Sequence, residues 1–291
     1  HMHGYGSHTY SMWNDAGERI WVKFHFRCQQ DIKNYMNAEA EELIGKTRES
    51  YQEDLFGSIE AGNFPKWELN IQVMPEADAE KAGFNPFDLT KVWPHGDYPL
   101  HPVGMLEFNK NPDNYFTHIE NAAYSPSNKV PGIGYSPDKM LQARVFSYAD
   151  AHRYRLGTHY EALPANAPKT AMHHYHKDGP MRFFPPQTGH PEAYYEPNQY
   201  AEAARPDPST GEPPLRIDGD ADRYVQEDSD ADYIQPRALY SEVFDQGERD
   251  RLHTNMAGAL APCSDAVKER WYAVLERVHP DYAAGVRKAV G

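Results

Sequence analysis

Cysteine, basic clusters and long apolar runs are all scarce in this chain of 291 residues. Its two cysteines, Cys28 and Cys263, have neither the spacing of a metal site nor the number that a disulfide framework needs. No apolar run approaches the ~20 residues of a membrane span. The net charge of -14 is not interrupted by a basic block, which argues against nucleic acid or anionic membranes as partners. We therefore expect a cytoplasmic protein in a reducing environment.

The apolar residues that usually dominate protein cores are also few. Leu, Ile, Val and Phe together number 48 of the 291 residues, which is below the usual level for a globular chain. The sequence compensates with 20 Tyr, 5 Trp and 9 Met, whose large or adaptable apolar surfaces suit burial. This composition predicts a chain that packs against a cofactor or another chain.

The N-terminal segment predicts an antiparallel hairpin. Between residues 6 and 27, two alternating runs flank the turn-forming tetrapeptide Asn14-Asp15-Ala16-Gly17. In the second run the alternation predicts one core face, made of Ile20, Val22, Phe24 and Phe26. The opposite face is predicted to be polar and basic, with Trp21, Lys23, His25 and Arg27.

Further along the chain, the periodicity changes several times. Alternation over 67–74 and 103–108 predicts two more strands, and the apolar stripe that follows Ser264 predicts C-terminal helices. Between 109 and 235, Pro, Asn, Tyr and Gly dominate, apart from a helical pattern over 140–156. A segment of this length with so many aromatic residues predicts a connection that wraps over its partners.

The helical pattern contains the most informative stretch, RVFSYADAHRYRLG over residues 144–157. In a helix, Arg144, Tyr148, His152 and Arg155 lie on one face. A neighbouring guanidinium favours the charged form of a phenol, so the spacing allows a phenolate, which is a hard anionic ligand for ferric iron. The alternative is a solvated Arg-rich helix face with a tyrosine packed on guanidinium groups.

The pattern R-x-F-x-Y-x-D-x-x-x-x-R-x-G resembles the proximal haem-ligand signature of the monofunctional haem catalases. The resemblance extends over essentially the whole chain through HMHGYGSHTY, KVWPHGDYPLHPVG, NPDNYFTHIENAAYSPSNKVPGI, SPDKMLQARVFSYADAHRYRLG, YIQPRALYSEVF and HPDYAAGV. It implies an α+β fold: the second half of an antiparallel β-barrel over 1–110, a wrapping segment over 111–235 and a C-terminal helical domain over 236–291. The chain is then expected to be the C-terminal portion of a catalase, without the N-terminal arm and the distal half of the barrel.

The resemblance also assigns a proximal haem site. It implies that Tyr148 is the axial ligand of the iron in haem b, that Arg144 keeps the phenol ionised, and that His8 and Asp138 continue the relay behind Arg144. The haem contacts that it implies are Met140, Tyr148, His152 and Arg155, with Met140 against the macrocycle and Arg155 facing a propionate.

A second implied site would bind NADPH on the outer surface of the barrel. The matching positions are Tyr5, His25, Arg27, Trp93 and His95. His25 and Arg27 share a strand face, where an imidazole and a cation can meet phosphates. The alternative is an ordinary basic strand surface, and His3 and Arg27 depart from the Asn and Lys of some binders.

The distal His and Asn that act on peroxide in this family are absent from the chain, so we expect it to be inactive alone. The complete protein is expected to be a homotetramer that dismutates hydrogen peroxide. The alternatives are an inactive or haem-binding catalase fragment, or a related haem peroxidase or lyase. The HHYH run with His173, His174 and His176 is better explained by loop packing than by a metal site, because no acidic or Cys partner completes it.

Overall fold

The computed structural model describes residues 1–169, 190, 192–195, 197–200, 211–216, 222–223 and 229–291. The chain divides into two compact units. We call Met2–Gln30 with Phe56–Arg216 the sheet unit, and His1, Asp31–Leu55 and Ile217–Gly291 the helical unit.

The sheet unit contains one antiparallel sheet. Its strands are β1 (Gly4–Tyr5), β2 (Tyr10–Trp13), β3 (Arg19–Cys28), β4 (Lys66–Pro75), β5 (His101–Glu107) and β6 (Ile133–Gly134). They are ordered β5-β4-β3-β2-β6, and β1 pairs with the far end of β3, where Gly4 lies opposite Phe26. This curled sheet confirms the predicted antiparallel half-barrel.

The hairpin between β2 and β3 is confirmed, and its turn is held by one side chain. Asn14 Oδ1 accepts hydrogen bonds from the backbone N–H groups of Ala16 and Glu18, at 3.1 and 3.0 Å. Gly17 has a φ of 76°, a conformation that costs a glycine little. The turn fixes the register, with Tyr10 opposite Val22.

Both faces of β3 are covered, which the alternation did not predict. On the predicted core face, Val22 is 0% exposed, and Phe24 and Phe26 are half-buried. On the predicted polar and basic face, Trp21 and Lys23 are 2% and 6% exposed. The reason is that the loop containing Trp93 folds over the basic face, where Trp93 joins Trp21 in an aromatic core cluster. Alternation alone does not show which face of a sheet a distant loop covers.

The described residues also form seven α-helices, besides short 3-10 and π-helical turns: α1 (Asn37–Lys46), α2 (Ser50–Glu60), α3 (Lys139–Leu156), α4 (Ala231–Ala238), α5 (Gln246–Leu260), α6 (Asp265–Val278) and α7 (Pro280–Val290). Helix α3 confirms the helix predicted over 140–156. It begins after Asp138, whose Oδ1 accepts from the N–H groups of Met140 and Leu141, and it ends at Gly157, which has a φ of 105°.

The helical unit has its own aromatic core. Tyr240, Tyr272 and Tyr282 pack there with Leu260, Leu275, Ala283 and Val286. Ser264 lies at the N-cap position of α6 and Pro280 opens α7, as the sequence predicted. None of the described helices is both long and apolar enough to cross a bilayer.

Candidate functional site

Four side chains of the sheet unit form a continuous hydrogen-bonded chain that ends on a phenol. The carboxylate Oδ2 of Asp138 lies 2.7 Å from His8 Nδ1, and His8 Nε2 lies 2.8 Å from Arg144 Nη1. Arg144 then donates through Nη2 to the hydroxyl oxygen of Tyr148. The structure thus brings together the four residues that the sequence placed in one relay, although His8 and Asp138 are 130 positions apart.

The donors and acceptors of this chain allow one proton arrangement. A guanidinium can only donate, so His8 Nε2 must accept from Arg144. The proton of the imidazole then lies on Nδ1 and is donated to Asp138. His8 is therefore held as one neutral tautomer between a carboxylate and a guanidinium, and the positive charge lies next to Tyr148.

Local backbone structure delivers His8 and Asp138 to the interior. Ser7 has a φ of 60°, which turns the chain between β1 and β2 and leaves His8 2% exposed. Ser136, also buried, donates its hydroxyl to the carbonyl of Thr9 and accepts from the Asp138 N–H at 3.2 Å. The loop before α3 is therefore hydrogen-bonded to Thr9, which lies between His8 and β2.

The relay lies where a negative charge is stabilised. Asp138 is 1% exposed and caps the N-terminus of α3, where two backbone N–H groups and the helix dipole favour a carboxylate. Burial raises the pKa of the neighbouring Tyr10, and the positive charge of Arg144 partly offsets that effect. Tyr10 therefore stays a neutral phenol while Tyr148 receives the hydrogen bond from Arg144.

Tyr148 is half-buried and is surrounded by groups of its own helix. The Arg144 Cζ atom lies 4.9 Å from the centre of the Tyr148 ring, and the His152 ring centre lies 6.0 Å away. His152 is buried, and its two nitrogens are occupied: Nε2 donates to the Tyr124 carbonyl at 2.8 Å and Nδ1 accepts from Arg155 at 3.3 Å. His152 supports the face of α3 rather than offering a nitrogen ligand.

The other two predicted haem contacts are exposed. Met140 is 52% exposed, so its thioether is free to cover a planar group. Arg155 is exposed too, but its guanidinium donates to the backbone carbonyls of Glu120 and Ala122. Its contact with a haem propionate remains a prediction.

The donor set fits a ferric haem. A phenol oxygen that receives a hydrogen bond from a guanidinium is a hard anionic donor once its proton leaves, which suits ferric iron. No group of three or more His, Cys, Asp or Glu in the described part of the chain offers a competing metal site. His173, His174 and His176 lie outside the described residues.

The predicted dinucleotide residues are only partly brought together. Tyr5, His25 and His95 meet edge to face, with ring centres 5.6 Å apart for Tyr5 and His25 and 6.1 Å apart for His25 and His95. Arg27 is half-buried on the same strand. Burial lowers the pKa of His25, and the positive charge of Arg27 adds a smaller effect in the same direction. Trp93, at 2% exposed, belongs to the core beneath this surface.

Sequence reasoning missed Gln72, which organises this surface. Gln72 is 1% exposed on β4, accepts from His25 Nε2 at 2.9 Å and donates to the carbonyls of Trp93 and Tyr98. It therefore ties the loop that carries His95 to the sheet. An amide between Ile71 and Val73, in the middle of an apolar strand, was the available signal.

The same loop also buries one lysine of β3. Lys23 Nζ donates to the Lys91 carbonyl at 2.8 Å and lies 5.6 Å from the centre of the Trp93 ring. Burial lowers the pKa of Lys23 to about 8, because the interior disfavours the ammonium.

The fold and the relay define an antiparallel half-barrel protein in which a buried carboxylate and imidazole lie in series with a half-buried guanidinium and phenol. A family model described as catalase matches residues 1–202, and one described as catalase-related immune-responsive matches 226–290. The chain belongs to the catalase family.

Individual relatives agree with this family. The chain is 51% identical to a catalase of Neisseria gonorrhoeae, covering 100% of this chain and 57% of the relative, and 47% identical to one of the Onchocerca volvulus endobacterium, covering 100% and 60%. A bacterial catalase structure superposes with a TM-score of 0.87 at 39% identity, covering 100% of this chain and 60% of that one. Catalase A from Saccharomyces cerevisiae gives 0.85 at 36%, with the same coverage. The chain thus spans about three fifths of the length of these relatives.

Proposed function

We propose that this chain supplies the proximal haem side of a catalase that dismutates hydrogen peroxide to water and oxygen. The observation that carries the proposal is the unbroken sequence of hydrogen bonds from Asp138 through His8 and Arg144 to Tyr148. Such a relay holds a phenolate in place, because Asp138 and the neutral imidazole of His8 orient the Arg144 guanidinium, and that cation favours the charged form of the Tyr148 phenol.

When bound, haem b supplies the two-electron redox chemistry of peroxide dismutation. The residues of this chain would have separate tasks. Tyr148 would provide the oxygen that holds the iron, and Arg144 would favour the deprotonated form of that oxygen. His8 and Asp138 would keep Arg144 oriented and its charge compensated, while Met140 would cover the macrocycle.

Turnover belongs, in this proposal, to a complete homotetramer, and this chain alone is inactive. The alternatives differ in what the complete protein does: a catalase evolves oxygen from peroxide, a related peroxidase consumes peroxide only with a reductant, and an inactive fragment does neither. Oxygen evolution by the complete protein therefore separates a catalase from the other two, and peroxide consumption with an added reductant separates a peroxidase from an inactive protein.

Replacement of the proposed ligand tests the assignment. In the complete protein, Tyr148→Phe should abolish haem retention, because the iron loses its axial oxygen. Haem content is measured by absorbance of the purified protein, relative to protein concentration. Tyr154→Phe is a matched control on the same helix, because Tyr154 is 96% exposed. This variant should retain haem fully.

Normal haem content in Tyr148→Phe would overturn the assignment of the ligand. Equal haem loss in both variants would point to damage of α3 rather than to lost ligation, and far-UV circular dichroism reports on that helix independently.

We further propose that the surface with Tyr5, His25 and His95 binds NADPH. Two observations support this proposal. The rings of Tyr5 and His25, on strands, meet the ring of His95, and Gln72 holds the loop that carries His95 against the sheet. Gently purified complete protein should then show reduced-nicotinamide fluorescence, and its absence would remove this part of the proposal.

We also propose that the protein works in a reducing cytoplasm. Cys28 and Cys263 are free thiols among the described residues, which is compatible with that setting.

A further inference from the structure

The helical unit contains a cavity that is separate from the relay. It has a volume of about 330 Å³ and is lined by Asn34, Tyr35 and Met36, which precede α1, and by Arg251 and Asn255 on α5. Arg251 and Asn255 are one helical turn apart, so both side chains point to the same side of α5. The volume is within the range of small-ligand sites.

The polar groups of this lining have unused bonding capacity. Within the described part of the chain, no hydrogen bond or ion pair engages the side chains of Asn34, Tyr35, Arg251 or Asn255. Arg251 brings five donors, the two amides bring more, and the lining contains no carboxylate. Arg251 is exposed and has no ion-pair partner among the described residues, so an anion is the ligand class that would pair with its guanidinium.

Two carboxylates lie nearby, but each already has a partner. Glu39 accepts from the Met36 N–H at 2.7 Å, at the start of α1. Asp245 Oδ1 accepts from the Glu248 N–H at 2.7 Å, at the start of α5. Asp245 Oδ1 and Arg251 Nη1 both approach Gly247, where an added Cβ would lie 3.3 Å from each of them. Neither is within ion-pair distance of Arg251 among the described contacts.

The apolar part of the lining restricts the ligand further. Tyr35 is 57% exposed and offers a ring face, and Met36 is partly buried and offers a polarisable thioether. We propose that this cavity binds a small aromatic carboxylate, with the carboxylate on Arg251 and the two asparagines and the ring against Tyr35 and Met36. The site is independent of the proposed haem function.

Benzoate is the probe for this proposal, and its binding to the purified protein is measured by ligand-observed NMR and calorimetry. Benzamide has the same shape without the charge, and phenyl phosphate keeps the ring but carries a different anionic group. We expect benzoate to bind more tightly than either, because benzamide lacks the charge that pairs with Arg251, and the tetrahedral phosphate ester is bulkier than a planar carboxylate in a cavity of about 330 Å³.

The matched variants are Arg251→Gln and Arg270→Gln, which remove the same charge. Arg270 is exposed on α6 of the same unit and is not part of the lining. Arg251→Gln should weaken benzoate binding about tenfold or more, and Arg270→Gln should leave it unchanged. Tyr35→Ala, at an exposed position, should also weaken it.

Benzoate binding should persist in Tyr148→Phe, which separates this cavity from any haem site. The proposal is overturned if benzoate does not bind at millimolar concentration, if benzamide binds equally well, or if Arg251→Gln leaves the affinity unchanged. Tighter binding of phenyl phosphate would replace the carboxylate by a phosphate ligand and would overturn the stated class.

Discussion

At the scale of single residues, the site depends on the direction in which each group donates. Arg144 can only donate, and this fixes the tautomer of His8 and the acceptor role of Asp138. The carboxylate has a second task, because its other oxygen caps α3. Asp138 thus links the start of the helix to the charge beside Tyr148.

Asp138→Asn separates these two tasks. Asn is also a good N-cap, so α3 should keep its helicity. If the amide oxygen caps the helix, the amide nitrogen faces His8 Nδ1. The amide nitrogen and Arg144 are then both donors, whereas a neutral His8 can accept at only one of its two nitrogens. One of the two contacts of His8 must therefore be lost. The loss of one charge-assisted hydrogen bond should weaken haem binding in the complete protein about tenfold or more.

Haem titration followed by absorbance measures this affinity, and far-UV circular dichroism measures the helix. Asp150→Asn removes the same charge from α3 at a side chain that is 87% exposed, and it should change neither. An Asp138→Asn protein with unchanged haem affinity would show that the relay does not act on Tyr148.

At the scale of elements, helices α5 and α7 meet where one residue must be small. A side chain at Gly285 would collide with the imidazole of His253, which is fixed by a 3.0 Å hydrogen bond between His253 Nε2 and the Tyr240 hydroxyl. The Tyr282 ring stacks on Tyr240, with ring centres 5.1 Å apart. The packing of these helices therefore relies on a glycine that helix propensity alone would disfavour.

Two glycine substitutions should have opposite effects on stability. Gly285→Ala should destabilise the protein by about 1–2 kcal/mol, because overpacking outweighs the gain in helix propensity. Gly258→Ala in α5 meets no atom within 4 Å, so it should stabilise by about 0.5–1 kcal/mol. Urea unfolding followed by far-UV circular dichroism measures both, and stabilisation by both substitutions would contradict the packing at His253.

At the scale of the whole molecule, the described sheet ends in a strand with exposed apolar residues. Strand β5 closes one end of the strand order, and Val103 and Met105 are 53% and 55% exposed. Open apolar strand edges attract further strands. This exposed edge agrees with the proposal that turnover belongs to a larger assembly.

The sequence by itself determined the local elements and the family. The turn at Asn14–Gly17, the α3 helix with Arg144 and Tyr148 one turn apart, and the start of α7 at Pro280 all follow from interactions between residues close in the chain. The Arg144–Tyr148 part of the relay was recognisable for the same reason, because both residues lie within one helix, whereas His8 and Asp138 were assigned through the family resemblance.

Only the tertiary structure decided which surfaces are buried and which distant groups meet. Burial of Lys23 and Trp21, the role of Gln72 beneath His25, and the cavity at Arg251 all depend on loops or helices that return from far along the chain. Alternation and helical spacing describe contacts within an element, whereas the partner that covers a face is set by packing between elements.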